Sequence, residues 1–177
     1  MQKVMKIAAK VAPTDATILI MGESGTGKEL IAKAIHANSN RSEGPFVVIN
    51  CGAIPSELVE SELFGHERGS FSGAERRHAG LFERAGHGTV LLDEITEMPE
   101  DTQVKLLRVL ESGRFRRVGG EADQGWHARL ITATNRDPDE AVADGRLRED
   151  LYYRIRQLTV HVPPLRERGE DAVALAR

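Results

Sequence analysis

Thr17-Ile-Leu-Ile-Met-Gly22-Glu23-Ser24-Gly25-Thr26-Gly27-Lys28-Glu29-Leu-Ile-Ala-Lys-Ala-Ile-His-Ala37 is the stretch that decides the fold. Thr17–Met21 is a short apolar run rich in β-formers, and Lys28–Ala37 has helical apolar spacing. The loop between them has glycine at positions 22, 25 and 27 and closes on Lys28. Glycines let the backbone wrap a phosphate with its N–H groups turned inward, and a helix N-terminus adds partial positive charge. Lys28 supplies a full charge to the terminal phosphates. A strand before and a helix after distinguish this pattern from a chance glycine turn. The expected ligand is ATP or a close nucleotide relative, held by Gly22, Glu23, Ser24, Gly25, Thr26, Gly27, Lys28 and Glu29. Glu29 stands where Ser or Thr commonly ligates Mg²⁺. Metal binding must then rest on the phosphates, water and a second carboxylate.

Outward from this stretch, further β-rich runs occur at Phe46–Asn50, Thr89–Asp93, Leu130–Thr134 and Leu158–Val162. Each reads as apolar on both faces, which predicts central parallel strands covered by helices on both sides. Helical patterns separate them at Lys28–Ala37, Ser56–Phe64, Ala79–Ala85, Glu100–Ser112 and Asp139–Leu151. Pro55 and Pro99 sit where first-turn prolines belong. The expected fold is α/β: a three-layer domain with a mainly parallel five-stranded sheet. Ligands in such sheets collect beyond the carboxyl ends of the strands. Two segments interrupt the alternation. Gly65–His78 reads as a long glycine-punctuated loop, and Phe115–His127 as a hairpin turning at Gly119 and Gly120.

The chain has 177 residues, 40% hydrophobic and 29% charged, enough for one core and free of repeats or low-complexity segments. A net charge of −3 does not favour duplex DNA or an anionic membrane as a partner for the whole surface. One cysteine, Cys51, precludes an internal disulfide and fits a reducing cytoplasm. No apolar run reaches the roughly 18 residues a bilayer span needs. Near the start, Val4, Ile7, Ala8 and Val11 mark one face of an amphipathic helix.

The other strand ends carry polar groups. Thr89-Val-Leu-Leu-Asp93-Glu94 ends in two acids: Asp93 suits Mg²⁺, and Glu94 suits a base that polarises water for attack on a γ-phosphate, with helix capping as the alternative. Asn50, Thr134 and Asn135 can orient that water or hold Glu94 away; simple turn chemistry is the alternative. Arg148 and Arg154 follow the fourth run six residues apart, and on spacing alone surface pairing with Glu149 and Asp150 is the better reading.

Taken together, GESGTGKE at Gly22–Glu29, INCGAIP at Ile49–Pro55, ELFGHERGSFSGA at Glu62–Ala74, LLDEI at Leu91–Ile95, ATNRD at Ala133–Asp137, and LREDLYYRI with VPPLRER within Leu147–Arg168 resemble the AAA+ domain of bacterial enhancer-binding proteins, the ATPases that activate sigma-54 RNA polymerase. The resemblance runs through essentially the whole chain. This family carries glutamate after the loop lysine, so Glu29 is in pattern. The resemblance implies that Asn50 restrains Glu94, that Thr134 and Asn135 sense the γ-phosphate, and that Arg148 and Arg154 are fingers acting in trans within a ring, typically a hexamer. It implies ATP and Mg²⁺ as cofactors and sigma-54 RNA polymerase holoenzyme as partner, in the cytoplasm.

Gly69-Ser70-Phe71-Ser72-Gly73-Ala74 matches the family's GAFTGA loop, which contacts sigma-54, with Ser70 for alanine and Ser72 for threonine. Phe71 either reaches a partner's groove or folds back on its own domain. The hairpin resembles the second pore loop that supports the first. Arg114, Arg116 and Arg117 read as a solvated rim or as DNA contacts. His66, His78 and His87 lack metal-ligand spacing, and Cys51 reads as a buried side chain behind the nucleotide site. By this resemblance a helical lid, a sensory domain and a helix-turn-helix domain are expected to be absent, so no specific DNA binding is expected of the chain. Two alternatives accompany the ATPase reading: a nucleotide-binding module with negligible hydrolysis, and a relative that does not act on sigma-54.

Overall fold

The computed structural model describes residues 2–167. In chain order the main elements are α1 (Gln2–Val11), β1 (Ile18–Met21), α2 (Lys28–Ala37), β2 (Phe46–Asn50), α3 (Ser56–Phe64), α4 (Leu81–Ala85), β3 (Thr89–Asp93), α5 (Glu100–Ser112), β4 (Arg114–Phe115), β5 (Gln124–Gly125), β6 (Arg129–Thr134), α6 (Pro138–Ala143), α7 (Glu149–Ile155) and β7 (Leu158–His161). Five strands form one parallel sheet in the order β2-β3-β6-β1-β7; β4 and β5 pair antiparallel outside it. The expected three-layer α/β domain with a five-stranded parallel sheet is the architecture found.

Strand periodicity creates the layers. Ile18, Ile20, Leu91, Ile131 and Ala133 join one core with Val4, Ala8 and Val11 of α1 and Ile31 and Ile35 of α2. The alternate residues Leu19, Val90, Leu92 and Leu130 join the opposite core with α3, α4, α5 and α7. The amphipathic face of α1 is used as its sequence implies. Only β1, β3 and β6 are buried on both faces. The runs at Phe46–Asn50 and Leu158–Val162 form the sheet edges, and Val48 is exposed, which corrects the expectation of five central strands.

Several boundaries differ for tertiary reasons. β1 begins at Ile18 and β7 ends at His161, one residue inside the expected runs. The fourth run begins at Arg129, a charged residue only 2% exposed. Its guanidinium donates to the carbonyls of Val11 and Ala12 at 2.9 and 2.8 Å, satisfying the end of α1. α4 starts at Leu81 rather than Ala79, because His66 and His78 exchange both backbone hydrogen bonds and draw the chain into an extended path.

The single helix expected over Asp139–Leu151 is two helices. Gly145 takes φ +71°, and the N–H groups of Arg146 and Leu147 both donate to the Ala141 carbonyl. Gln103, buried in α5, locks this break: its Nε2 donates to Arg146 O at 2.7 Å and its Oε1 accepts from Arg148 N at 2.9 Å. Pro55 and Pro99 lie one residue before α3 and α5 with extended ψ, at the cap rather than in the first turn.

Candidate functional site

The sheet register collects the predicted residues at one edge. Asn50 pairs with Asp93 across β2 and β3, and Met21 pairs with Thr134 across β1 and β6. The phosphate loop leaves β1 at that edge, with Gly22 N donating to Thr134 O at 3.2 Å. Gly25 and Gly27 take φ of +76° and +87°, left-handed values that keep the loop open. Gly22 is small for another reason: a Cβ there would stand 2.6 Å from the Val162 carbonyl. Thr26 donates its hydroxyl to Glu23 O at 2.7 Å and is buried, whereas Ser24 is exposed.

Lys28 is folded into the cradle that its loop makes. Its Nζ donates to Gly22 O at 2.8 Å and Glu23 O at 3.1 Å, and the residue is 8% exposed. Burial pulls its pKa down, opposed by the charges of Asp93 and Glu94. That opposition links the loop electrostatically to the acids ending β3. Two concavities of about 460 and 470 Å³ open elsewhere, beneath the β4–β5 hairpin and beside Arg148, and neither includes a phosphate-loop residue. Glu29 is not drawn into the cradle; it pairs with Lys33 on the helix surface at 2.7 Å.

Asp93 Oδ1 accepts from Glu94 N at 3.0 Å, and its Oδ2 is 3.5 Å from Asn50 Nδ2. Asn50 Oδ1 accepts from Gly52 N and Ala53 N, starting a 3₁₀ turn at Cys51–Ala53. The structure thus joins Asn50 to Asp93 and to that turn. Glu94 instead lies against Gly52, where a Cβ would clash with its carboxylate. Glu94 is also the non-glycine residue with positive φ among those described, at +52°. Such backbone costs roughly 1–3 kcal/mol and aims a side chain where ordinary strand geometry would not. Cys51 is 2% exposed behind these acids; burial, then their charge, pushes its thiol up to about 12. Thr134 is fully buried and its hydroxyl accepts from Arg136 N at 3.0 Å, while Asn135 is exposed.

Arg148 caps the start of α7, and Arg154 lies in its last turn. Arg148 forks onto Asp150 and reaches Glu100, the surface pairing that spacing alone suggested, though with Asp150 and not Glu149. Arg154 donates to the Leu110 carbonyl and is otherwise exposed. Within one chain neither is joined to the phosphate loop.

The loop containing Gly69–Ala74 is closed by Gly69 N donating to Ala74 O, with positive φ at Gly69 and Gly73. Phe71 is 38% exposed and sets its edge against His66 at 5.0 Å, so it folds partly back on its own domain. Ser72 is exposed and Ser70 half-buried, with the hairpin's Gly119 packed against its Cβ. Ala74 is 4% exposed and serves to close the loop.

The hairpin supports the loop directly, through Glu67 N to Val118 O and Val118 N to Gly65 O. Its ladder is short, with a turn from Arg117 to Gly120. Arg117 corrects both readings given to it. It is 8% exposed and forks onto Glu83 of α4 at 2.6 Å while reaching Glu67 at 2.8 Å. Its spacing two residues from the buried Phe115 carried this signal. Arg116 and Arg114 do lie on the rim, paired with Asp123. His66 stacks on His78 and shares a hydrogen bond with Ser61, and His87 stacks on His127.

Arg166 carries an unanticipated contact: both of its terminal nitrogens reach the Glu23 carboxylate at 2.6 and 2.7 Å, tying the segment after β7 to the phosphate loop. Arg168, the last residue of that motif, lies outside the described residues.

Comparison with known proteins agrees with this geometry. The family described as the sigma-54 interaction domain matches residues 1–161. The chain is 54% identical over 176 residues to the regulatory protein AtoC of Escherichia coli strain K12, covering 99% of this chain and 38% of AtoC. It is 50% identical over 177 residues to the transcriptional regulator NtrC of Rhizobium meliloti, covering 100% of this chain and 37% of NtrC. Solved structures of NtrX from Brucella abortus, including complexes with ADP and with ATP, superpose at TM-scores of 0.93, 0.91 and 0.90 with 41–42% identity, over 98–99% of this chain and 38–39% of NtrX. The chain thus spans well under half the length of these relatives. No helix among the described residues is long and apolar enough to cross a membrane. A phosphate loop, two acids and a threonine at one sheet edge, together with a family match over residues 1–161, place this chain in the sigma-54 interaction domain family.

Proposed function

We propose that this domain binds ATP with Mg²⁺ and hydrolyses it in a ring of identical subunits, using the cycle to move the Gly69–Ala74 loop against sigma-54 RNA polymerase. The observation that carries this reading is the convergence of the phosphate loop, Asp93, Glu94 and Thr134 at the carboxyl ends of adjacent strands. NtrX, its relative, has been solved with ATP bound.

In this reading the loop N–H groups and Lys28 hold the β- and γ-phosphates once Nζ leaves the Gly22 and Glu23 carbonyls. Asp93 is the protein oxygen ligand for Mg²⁺, which supplies charge neutralisation along the phosphates. Its hard carboxylate, partly exposed and held by the Glu94 N–H and one long bond from Asn50, fits that ion. Glu94 polarises the attacking water after turning away from Gly52, Asn50 restrains that turn through the Gly52 backbone it binds, and Asn135 joins Thr134 in sensing the γ-phosphate. Thr134 senses the γ-phosphate through its carbonyl link to Gly22. Arg148 and Arg154 stabilise the transition-state charge from a neighbouring copy, since neither reaches the loop of its own chain. An arginine supplied this way contributes roughly 10³–10⁵-fold.

The test is ATP turnover against protein concentration, with molecular mass measured in parallel. Turnover per subunit should rise as the mass rises, and Arg154→Ala should abolish that rise while ATP still binds. Concentration-independent turnover that survives Arg148→Ala and Arg154→Ala would remove the trans role. For the partner, sigma-54 should be retained only with an ADP–metal-fluoride mimic, and Phe71→Ala should release it.

A further inference from the structure

We propose that Glu97 is a positioning residue for Glu94: its ion pair with Arg136 holds the turn after β3 in the strained conformation that presents the water-polarising carboxylate. The inference rests on the reading of Glu94 and Thr134 given above and deepens it. Parallel register fixes where β3 and β6 end. Glu94 lies one residue beyond β3, where the ladder no longer constrains it. Its conformation is therefore set by the turn it begins, the 3₁₀ turn Ile95–Glu97.

That turn carries two unfavourable features. Glu94 takes φ +52° and ψ +51°, a left-handed conformation that a side chain with a Cβ disfavours. Two residues on, Thr96 is 3% exposed, and its hydroxyl has no hydrogen-bond partner among the described residues. A buried, unpaired hydroxyl loses its hydration without compensation. Left to itself, such a turn relaxes by rotating Glu94 back to ordinary backbone and Thr96 towards water. Strained backbone of this kind persists only where its surroundings over-determine it.

The surroundings do so from two sides. Glu97 N donates to Glu94 O at 2.9 Å and Met98 N to Ile95 O at 3.2 Å, closing the turn. Gln103 of α5 donates to the Met98 carbonyl at 2.8 Å and pins the far end. Across the sheet edge, Glu97 Oε1 accepts from Arg136 Nε at 2.8 Å, and its Oε2 lies 3.9 Å from Arg146 Nη1. Arg136 is itself tied to β6, since its backbone N–H donates to the Thr134 hydroxyl at 3.0 Å. One side-chain bridge thus joins the strand end that senses the γ-phosphate to the turn that carries the base. The side chains are 46% and 30% exposed, so the pair contributes little to stability by itself. A pair that merely stabilised would alter melting slightly and turnover not at all. A restraint on a strained turn does the reverse, because releasing it also releases the strain.

The test follows ATP turnover of the 177-residue chain with Mg²⁺, at a concentration where its mass no longer rises. Calorimetric melting and binding of a fluorescent ATP analogue are measured alongside. Glu97→Gln should lower kcat about tenfold, with KM, analogue affinity, mass and melting temperature unchanged. Arg136→Met should match it, and the double variant should fall no further, because both lose the same contact. Arg136→Lys, which keeps the charge, should recover most of the turnover. Hydrogen exchange supplies a readout that needs no turnover. The amides of Glu97 and Met98 should exchange faster in Glu97→Gln and Arg136→Met, while that of Ile31 in α2 should not. Unchanged kcat in both variants, or unchanged exchange at Glu97 and Met98, would overturn the positioning role. So would a fall in kcat matched by a general loss of stability. Glu94→Gln separates this inference from the reading beneath it. If Glu94→Gln abolishes turnover and Glu97→Gln leaves it intact, the positioning role alone fails. If Glu94→Gln turns over normally, or the unsubstituted chain binds the analogue and hydrolyses nothing, the Glu94 reading fails and this inference with it.

Discussion

The phosphate-loop edge and the paired loop and hairpin near Phe71 are built on different principles. At the edge, backbone does the positioning: parallel register sets Asn50 beside Asp93 and Thr134 beside Met21, and an N–H of Gly22 ties the loop to β6. Near Phe71, side chains do it: Arg117 clamps Glu83 and Glu67, His66 supports Phe71, and Gly119 packs on Ser70. Backbone register depends on the whole sheet and resists local change. A side-chain clamp can be undone by one substitution or one protonation. The difference predicts a rigid edge and a loop that is easier to displace.

Lys28→Ala should separate function from stability most sharply. ATP turnover should fall at least ~10²-fold, since the loop's full charge is lost. Thermal stability should hold or rise slightly, because a half-desolvated cation is removed; calorimetry and a turnover assay on the same sample check both. A large loss of stability would show that the edge depends on side chains after all.

Arg117→Met should do the reverse. It leaves Glu83 and Glu67 without their partner and should cost about 1–3 kcal/mol, less than a fully buried pair because Glu67 is 38% exposed. Hydrogen exchange should speed up in the Phe71 loop and hairpin while ATP binding persists. Equal loosening at the edge would break the comparison.

Two glycines sharpen it further. Gly22→Ala meets the Val162 carbonyl at 2.6 Å, a backbone clash expected to cost about 1–3 kcal/mol and to weaken nucleotide binding. Gly69→Ala meets nothing within 4 Å but sits at φ +81°, costing about 1 kcal/mol and confined to the Phe71 loop. Denaturant midpoints together with nucleotide titration distinguish the two.

The smallest effect concerns pH. Arg117 holds the Glu83 carboxyl below its ordinary value. Its stabilising contribution is therefore present above the unfolded pKa of glutamate and is lost as pH falls through the lower, folded value. Trp126, the only tryptophan, packs at a tilt on Phe82, ring centres 4.2 Å apart, beside α4 and should report the change by fluorescence. In Glu83→Gln that acid transition should be absent, the hairpin being already loosened at neutral pH.

Much of this was legible before any coordinates. The five runs and the residues ending them carried the fold class and most of the candidate site, because apolar period and glycine placement are local properties of the chain. Gln103 explains why the expected helix over Asp139–Leu151 was not: no local signal reveals that an amide from α5 will bind Arg146 and Arg148 across the break. The same holds for Arg129, whose guanidinium serves the end of a helix more than a hundred residues earlier in the chain.

By itself the sequence determined that Gly22–Lys28 is a phosphate loop between a strand and a helix, that Asp93 and Glu94 end another strand, and which family these motifs resemble. Those are matters of residue type and short spacing. Only the tertiary structure decided strand order, and with it which residues share the edge. It alone showed Asn50 joined to Asp93, Glu94 strained against Gly52, Arg117 buried as a clamp, and Arg148 and Arg154 engaged by Asp150, Glu100 and the Leu110 carbonyl. The reason is physical: pairing, burial and charge contacts between distant segments depend on how the sheet is assembled, and no short stretch of sequence contains that information.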